Sequence, residues 1–323
     1  MLVLVAGLVA AGLVAAGLTA SGASGAAVLP YPAKPVRILT TVTGGSLDLT
    51  ARFIAPGLAE NLGQPVIVDN RGGLISMDTA AKAVPDGYTL VLASASLWLL
   101  PFLRAGVPWD PVKDFSPVTL AVTLPNIIAV HPSLPVRSPE ELIAFARARP
   151  GELSYSSGQP GSSSHLAGEL FKSLARVSIV HVPYKGGGPA IVALVSGEVQ
   201  VSFPNAGSAA PHIQSARMRA LAVASARPSA LLPGLPAAGE AGLPGYETGA
   251  LLAIFAPAKT PAAIVERLNR EIVQVLKRPE VKQRLFDSGA EVVASSPAEL
   301  AAAIRNDMTV TGKLIRDVGI RAD

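Results

Sequence analysis

The side chains with the most chemical capacity in this chain sit in five short loops. Thr43-Gly-Gly-Ser-Leu-Asp48 combines Gly44 and Gly45 with Ser46 and Asp48, and Ser94-Ala-Ser96 carries two hydroxyls. Tyr155-Ser-Ser-Gly-Gln-Pro-Gly-Ser-Ser-Ser-His165 crowds Gly161, Ser162, Ser163 and His165 at one helix start, far more polar capacity than one cap requires. Tyr184-Lys-Gly-Gly-Gly-Pro189 offers Tyr184, Lys185 and Gly186, and Pro204-Asn-Ala-Gly207 offers Asn205. Glycines allow close backbone approach, and free N–H groups at a helix N-terminus attract negative groups. Five such loops point to a cleft that holds a small anion such as a carboxylate. Each loop alone is also an ordinary turn with an N-cap, and Asp48 is equally a cap for the helix that follows it.

Covalent chemistry finds less support. A serine from Ser162 to Ser164 acting with His165 would give a secreted serine hydrolase, but adjacent residues at a helix start place nucleophile and base poorly. No G-x-S-x-G elbow, H-E-x-x-H, Walker A motif or G-x-G-x-x-G is present. His131, His165, His181 and His212 stand singly, so no metal ligand set is assigned, and no catalytic residue or cofactor is expected.

These loops need a framework of alternating strands and helices. Val36 to Thr40, Pro65 to Val68, Tyr88 to Ser94, Ile127 to Val130, Val177 to Val182, Val199 to Phe203, Ala220 to Ala224 and Leu251 to Phe255 read as strands bounded by Gly, Pro or Asp. Their continuous apolar runs suit strands covered on both faces in a parallel sheet, and the class is α/β. Ser138-Pro-Glu-Glu141 and Ser296-Pro-Ala-Glu299 are capping boxes that open helices. Ile264, Leu268, Ile272 and Val275 follow Pro261 at helical spacing, with Glu266 and Arg270 paired four apart. Pro56-Gly57 falls inside the helix expected from Leu49 to Leu62. An interior proline costs ~3 kcal/mol and a glycine ~1 kcal/mol, so that helix should kink or break there. Pro228 to Gly245 reads as a surface connection near an interdomain crossing.

A chain of 323 residues, 50% hydrophobic, can bury a large core and has the length of two domains. Met1 to Ala20 contains no charge and is followed by small residues to Ala27, so residues 1–26 read as a cleaved signal peptide. The first basic residue is Lys34, which leaves the usual basic start missing, and an uncleaved membrane anchor is the competing reading. With no cysteine there is no lipoprotein anchor, disulfide or thiol catalysis. The formal net charge of +4 is scattered and forms no basic run, so nucleic acid is not an expected partner.

A longer ordered set of motifs resembles one family. Tyr31-Pro-Ala-Lys-Pro-Val-Arg37, Gly44-Gly-Ser-Leu-Asp48, Leu62-Gly-Gln-Pro-Val66, Asn70-Arg71, Pro85-Asp-Gly-Tyr-Thr89, Lys113-Asp-Phe-Ser-Pro-Val118, Ser164-His-Leu-Ala-Gly-Glu-Leu-Phe171, His181-Val-Pro-Tyr-Lys-Gly186, Leu221-Ala-Val223 and Glu240-Ala-Gly-Leu-Pro-Gly-Tyr246 occur in that order. Together they look like the substrate-binding proteins of tripartite tricarboxylate transporters, the Bug receptors. The resemblance implies a type II periplasmic solute-binding fold of two α/β lobes with mixed sheets, joined by two crossing segments around a ligand cleft. Lobe 1 would span 31–126 and 248–323, and lobe 2 would span 127–247. It further implies a periplasmic receptor that hands a carboxylate to membrane permease subunits; a monomer is expected, and a sensory receptor that presents its solute to a histidine kinase is the alternative reading. By position, Gly44, Gly45, Ser46, Asp48, Gly161, Ser162, Ser163, His165, Tyr184, Lys185, Gly186 and Asn205 match the family's ligand loops. Thr43 stands where the family usually has a proline before a longer glycine run, and Gly72-Gly-Leu-Ile-Ser-Met-Asp78 replaces its glycine-rich stretch after Asn-Arg. Pro204 replaces an acid.

Overall fold

A computed structural model of the protein describes residues 31–225 and 227–321. The signal-peptide reading of 1–26 lies outside the described residues. Two mixed sheets, with helices on both faces of each, make up the described chain.

The first sheet has the order β11-β4-β10-β3-β1-β2. It contains β1 (Val36–Thr40), β2 (Val66–Asn70), β3 (Thr89–Ala93), β4 (Phe115–Pro125), β10 (Gly249–Pro257) and β11 (Glu291–Val292). The second has the order β7-β6-β8-β5-β9, from β5 (Ile127–Val130), β6 (Ser154–Ser157), β7 (Val180–Pro183), β8 (Val201–Ser202) and β9 (Arg219–Val223). Alternate residues of one strand serve opposite faces: Ile38 joins the core under α1 (Ser46–Leu62) and α8 (Ala262–Leu276), while Leu39 joins the core under α3 (Ser96–Leu103) and α10 (Pro297–Val318). Ile128 and Ile127 divide in the same way in the second sheet. Continuous apolar runs therefore do mark strands covered on both faces, but the sheets are not purely parallel. β10 runs antiparallel to β3 and β4, and β5 runs antiparallel to β8 and β9.

The pairing fixes which edges face each other. Since β10 opposes both neighbours, β4 runs with β1 and β3, and its end at Pro125 lies on the edge where those two strands also end. The chain leaves that edge through Asn126 and returns to it through Thr248. There Asn126 N donates to Thr248 O (3.0 Å), Thr248 N to Ala224 O (2.9 Å) and Ala224 N to Asn126 O (2.8 Å). Ile127 N donates to Pro204 O (2.9 Å), so β8, and the parallel β6 beside it, also end at this crossing. Both sheets thus turn their carboxyl edges toward the crossing, the edge where α/β folds bind ligands.

Several local expectations change. α1 begins at Ser46 and runs unbroken to Leu62 through Pro56. Pro56 is exposed, so water can satisfy the carbonyl its ring leaves unbonded, and Gly57 packs where a Cβ would come within 3.0 Å of Val275 on α8. Ser296 forms the full capping box, whereas Ser138 caps Glu141 N and the Glu141 carboxylate turns to Arg137 N. Arg270 bonds Glu271, not Glu266. The 228–245 segment carries the buried Ala237, Ala238 and Leu243, so it is packed connection as much as surface.

Candidate functional site

Three helices of the second sheet begin at one place. They are α5 (Ser163–Ala175), α6 (Gly187–Val195) and α7 (Ala206–Gln214), which follow β6, β7 and β8. The first N–H groups of a helix have no partner within it, and the aligned peptide dipoles add partial positive charge there. Between these starts lies a cavity of about 340 Å³, lined by Gln159, Ser162, Ser163, Ser164, Lys185, Gly186, Gly187, Ser208 and Asn205, with Ala190, Ile191 and Pro204 as its apolar part. Among the described residues lining it, Lys185 is the only charged side chain, and it forms no ion pair. Gly186, the N-cap of α6, has φ 134° and ψ 175°, a conformation that only glycine adopts cheaply.

The serine-rich loop is held by its own hydroxyls. Ser162 Oγ accepts from His165 N (3.4 Å) and lies 3.2 Å from Ser164 Oγ, which accepts from Gly158 N (3.0 Å). His165 supports the loop from below: its Nδ1 accepts from Gly161 N (3.1 Å), and its ring stacks on His181 at 4.1 Å. His181 stacks in turn on Tyr155 (4.9 Å) and pairs its Nε2 with Ser157 Oγ at 2.6 Å. Burial, then the neighbouring His181 ring, pushes the His165 pKa down to about 4, so Nδ1 is free to accept the Gly161 N–H at neutral pH. Burial also lowers His181. Tyr155 donates to Glu169 Oε1 (2.7 Å), and burial with that carboxylate raises the phenol far above its ordinary value. Lys172 neutralises Glu169 at 2.7 Å.

Asn205 ties the cavity to the crossing. Its Nδ2 donates to Leu124 O (3.1 Å) and Asn126 Oδ1 (2.6 Å), and Asn126 Nδ2 donates to Ser163 O (2.9 Å). One amide pair therefore sets the distance between the serine-rich loop and the connection between sheets.

Of the residues expected from sequence, the cavity gathers Ser162, Ser163, Lys185, Gly186 and Asn205. Gly161 instead lies against α3, where a Cβ would meet Leu103 at 2.8 Å. Tyr184 turns its hydroxyl to Glu198 (2.8 Å), and Ser94 and Ser96 bond each other (2.9 Å). Gly44, Gly45, Ser46 and Asp48 belong to the facing carboxyl edge of the first sheet. Asp48 does not cap α1. Buried in its first turn, it accepts from Gly44 N (2.9 Å), Arg52 Nε (2.9 Å) and Asn70 Nδ2 (2.7 Å), so its oxygens brace the loop. The Arg52 bond and the two amide donors hold its carboxyl below the ordinary range, against the opposing effect of burial. Sequence reasoning missed Ser208, three residues after Asn205 in the first turn of α7, a spacing that places it on the same helix start.

The serine hydrolase geometry is not formed: among the described residues no hydroxyl of Ser162 to Ser164 bonds a histidine ring, and Ser157, which does, is fully buried.

Comparison with known proteins agrees with the fold. The model of the tripartite tricarboxylate transporter family receptor matches residues 50–320. The chain belongs to that family. A protein from the tcbD-tcbE intergenic region of a Pseudomonas species is 37% identical over 298 residues, covering 91% of this chain and 89% of its own. BugT of Bordetella pertussis is 35% identical and covers 90% of this chain and 91% of its own. Among solved structures, R. palustris Rpa4515 with adipate is 35% identical, with a TM-score of 0.74 over 90% of this chain and 99% of that one. The two-sheet architecture is thus that of the family's periplasmic receptors.

Proposed function

We propose that the chain is a periplasmic receptor that captures a small carboxylate and delivers it to the membrane permease subunits of a tripartite tricarboxylate-type transporter. It acts without covalent chemistry and as a monomer, exported by residues 1–26. The convergence of three helix N-termini on one cavity beside the unpaired Lys185 carries this reading. Such a constellation holds a carboxylate by backbone N–H groups and one cation, as P-loop and dinucleotide folds hold phosphates. The adipate bound by the R. palustris relative supports the ligand class.

In this proposal Ser162, Ser163, Ser164, Lys185, Gly186, Gly187, Asn205 and Ser208 make the primary contacts. Gly44, Gly45 and Ser46, with Ser94 and Ser96, approach from the facing edge. Isothermal calorimetry of the chain from Tyr31 onward against a panel of organic acids tests it. At least one carboxylate should bind at micromolar concentration, and Lys185→Ala should weaken it about 5- to 30-fold, the loss of one ion pair of ~1–2 kcal/mol near a protein surface. Absence of binding by every carboxylate would refute the receptor reading.

A further inference from the structure

The two carboxyl edges that share the crossing differ in chemistry. The second sheet offers helix starts, hydroxyls and Lys185. The first sheet offers, in its outer two loops, aliphatic side chains: Val42 is 68% exposed, Leu74 45% and Ile75 60%. The segments that carry them are neighbours, because the first turn of α2 (Gly73–Ala81) lies against the loop after β1, where a Cβ at Gly73 would meet Thr41 Cγ2 at 3.6 Å. Single exposed aliphatic residues are ordinary, but three together at the mouth of a cleft call for a partner.

That edge presents no unpaired charge among the described residues of these loops. Asp48 is neutralised by Arg52 and the amides of Gly44 and Asn70. Arg71 is held by Asp69 at 3.0 Å, a carboxylate that Arg37 also approaches at 3.7 Å. The anion-attracting start of α1 already has its carboxylate in Asp48, which takes the Gly44 N–H. A second carboxylate on the solute would find there only cations already bonded to Asp48 and Asp69, for which it would have to compete, which is unfavourable. A zwitterion fares no better in the cavity, where no acid lines the wall.

We propose that the solute is charged at one end only and carries a hydrocarbon chain or ring at the other, with Val42, Leu74 and Ile75 as the residues that select for it. This rests on the carboxylate-receptor reading and narrows it: the charged end sits at the starts of α5, α6 and α7, and the hydrocarbon faces α2 and the loop after β1.

The test is calorimetry with hexanoate, phenylacetate, adipate, malate and citrate on the wild-type chain, on Leu74→Ser with Ile75→Ser, and on Ile75→Arg. Hexanoate or phenylacetate should bind at least about tenfold tighter than malate and citrate. The double serine variant should weaken the monocarboxylates about tenfold and leave malate unchanged. Ile75→Arg, which supplies a cation to the apolar edge, should shift the preference about tenfold toward adipate over hexanoate. All three side chains are exposed, so thermal unfolding of the variants should match the wild type. Tighter binding of malate or citrate than of the monocarboxylates overturns this inference and leaves the receptor reading standing. Silence from all five acids removes both. Monocarboxylate binding that neither variant alters overturns the assignment of Val42, Leu74 and Ile75 and turns that patch over to a protein partner.

Discussion

Gly207→Ala sets two effects of known size against each other. Gly207 lies in the first turn of α7, where alanine in place of glycine ordinarily adds up to ~1 kcal/mol. Here an added Cβ would stand 2.5 Å from Gly289 Cα and 3.3 Å from Gly289 N. The obstacle is backbone in the turn after α9 (Pro279–Asp287), and that turn is pinned: Gly289 N donates to Phe286 O (2.8 Å) and Ala290 N to Leu285 O (2.9 Å). Carbon atoms rest ~3.5–4.0 Å apart at their optimum, so one element must retreat by about 1 Å. Overpacking of this order costs ~1–3 kcal/mol, which exceeds the helix gain. The expected net destabilisation is about 1–2 kcal/mol, measured as a lower urea midpoint at unchanged slope. Because α7 begins at the cavity and the turn belongs to the first sheet's layer, the same retreat should weaken carboxylate binding several-fold. Gly187→Ala is the control. A Cβ there meets nothing within 4 Å, so stability should hold or rise while the methyl group intrudes on the cavity lining. A Gly207→Ala variant as stable as the wild type would refute the reasoning, since it would mean the α7–turn contact yields without cost.

Two further outcomes follow from buried groups. Asp48→Ala strips the acceptor from Gly44 N and Asn70 Nδ2 and leaves Arg52 half-paired, so urea unfolding should show a loss of about 2–4 kcal/mol. Acidification should destabilise the protein through His165. Its native pKa of about 4 lies below the ordinary ~6.5, so below pH 6.5 the unfolded chain binds a proton that the native ring refuses. This contribution, up to ~3 kcal/mol, is complete above pH 6.5 and is lost progressively as the pH falls toward 4. Urea midpoints of wild type and His165→Phe at pH 7.5, 6.0 and 4.5 check it: the gap between the two pH profiles should close on the acid side, and parallel profiles would contradict the assigned ring.

Legibility in the sequence varied with what each residue must satisfy. All eight apolar runs form strands, and the inner ones are covered on both faces, as Ile38 and Leu39 show by joining opposite cores, whereas the edge strands β2 and β7 leave Ile67 and Val180 exposed. β4 is the longest strand, yet its prolines hide it: Pro117 sits opposite Phe255 beside a register shift, and such an irregularity lets a proline into a sheet without a lost ladder bond. β6 is Ser-Tyr-Ser-Ser, polar in sequence and buried in fact, because Ser156 bonds Ala190 O and Ser202, and Ser157 bonds His181. The loops of the site were legible as polar helix starts, but side-chain direction was not. Tyr184 turns to Glu198, fourteen residues away, and His165 turns under the loop to Gly161, and neither partner leaves a local signal.

The distribution of contacts between the two edges has a consequence for transport. A solute held only by the starts of α5, α6 and α7 has the same contacts whether the sheets stand apart or together, and equal affinity for two states shifts neither. Any change of shape that a permease recognises must therefore be driven by what the first sheet adds: Gly44 to Ser46, Ser94, Ser96 and, on the inference above, the aliphatic patch. Asn126, within the segment through which the chain crosses, bonds two parts of the second set, Asn205 and Ser163 O. Affinity then resides mainly in the second sheet, and the signal that a solute is present resides in the first. Substitutions on the apolar edge are expected to impair delivery beyond their roughly tenfold effect on binding, whereas Lys185→Ala should lower delivery only through its loss of affinity.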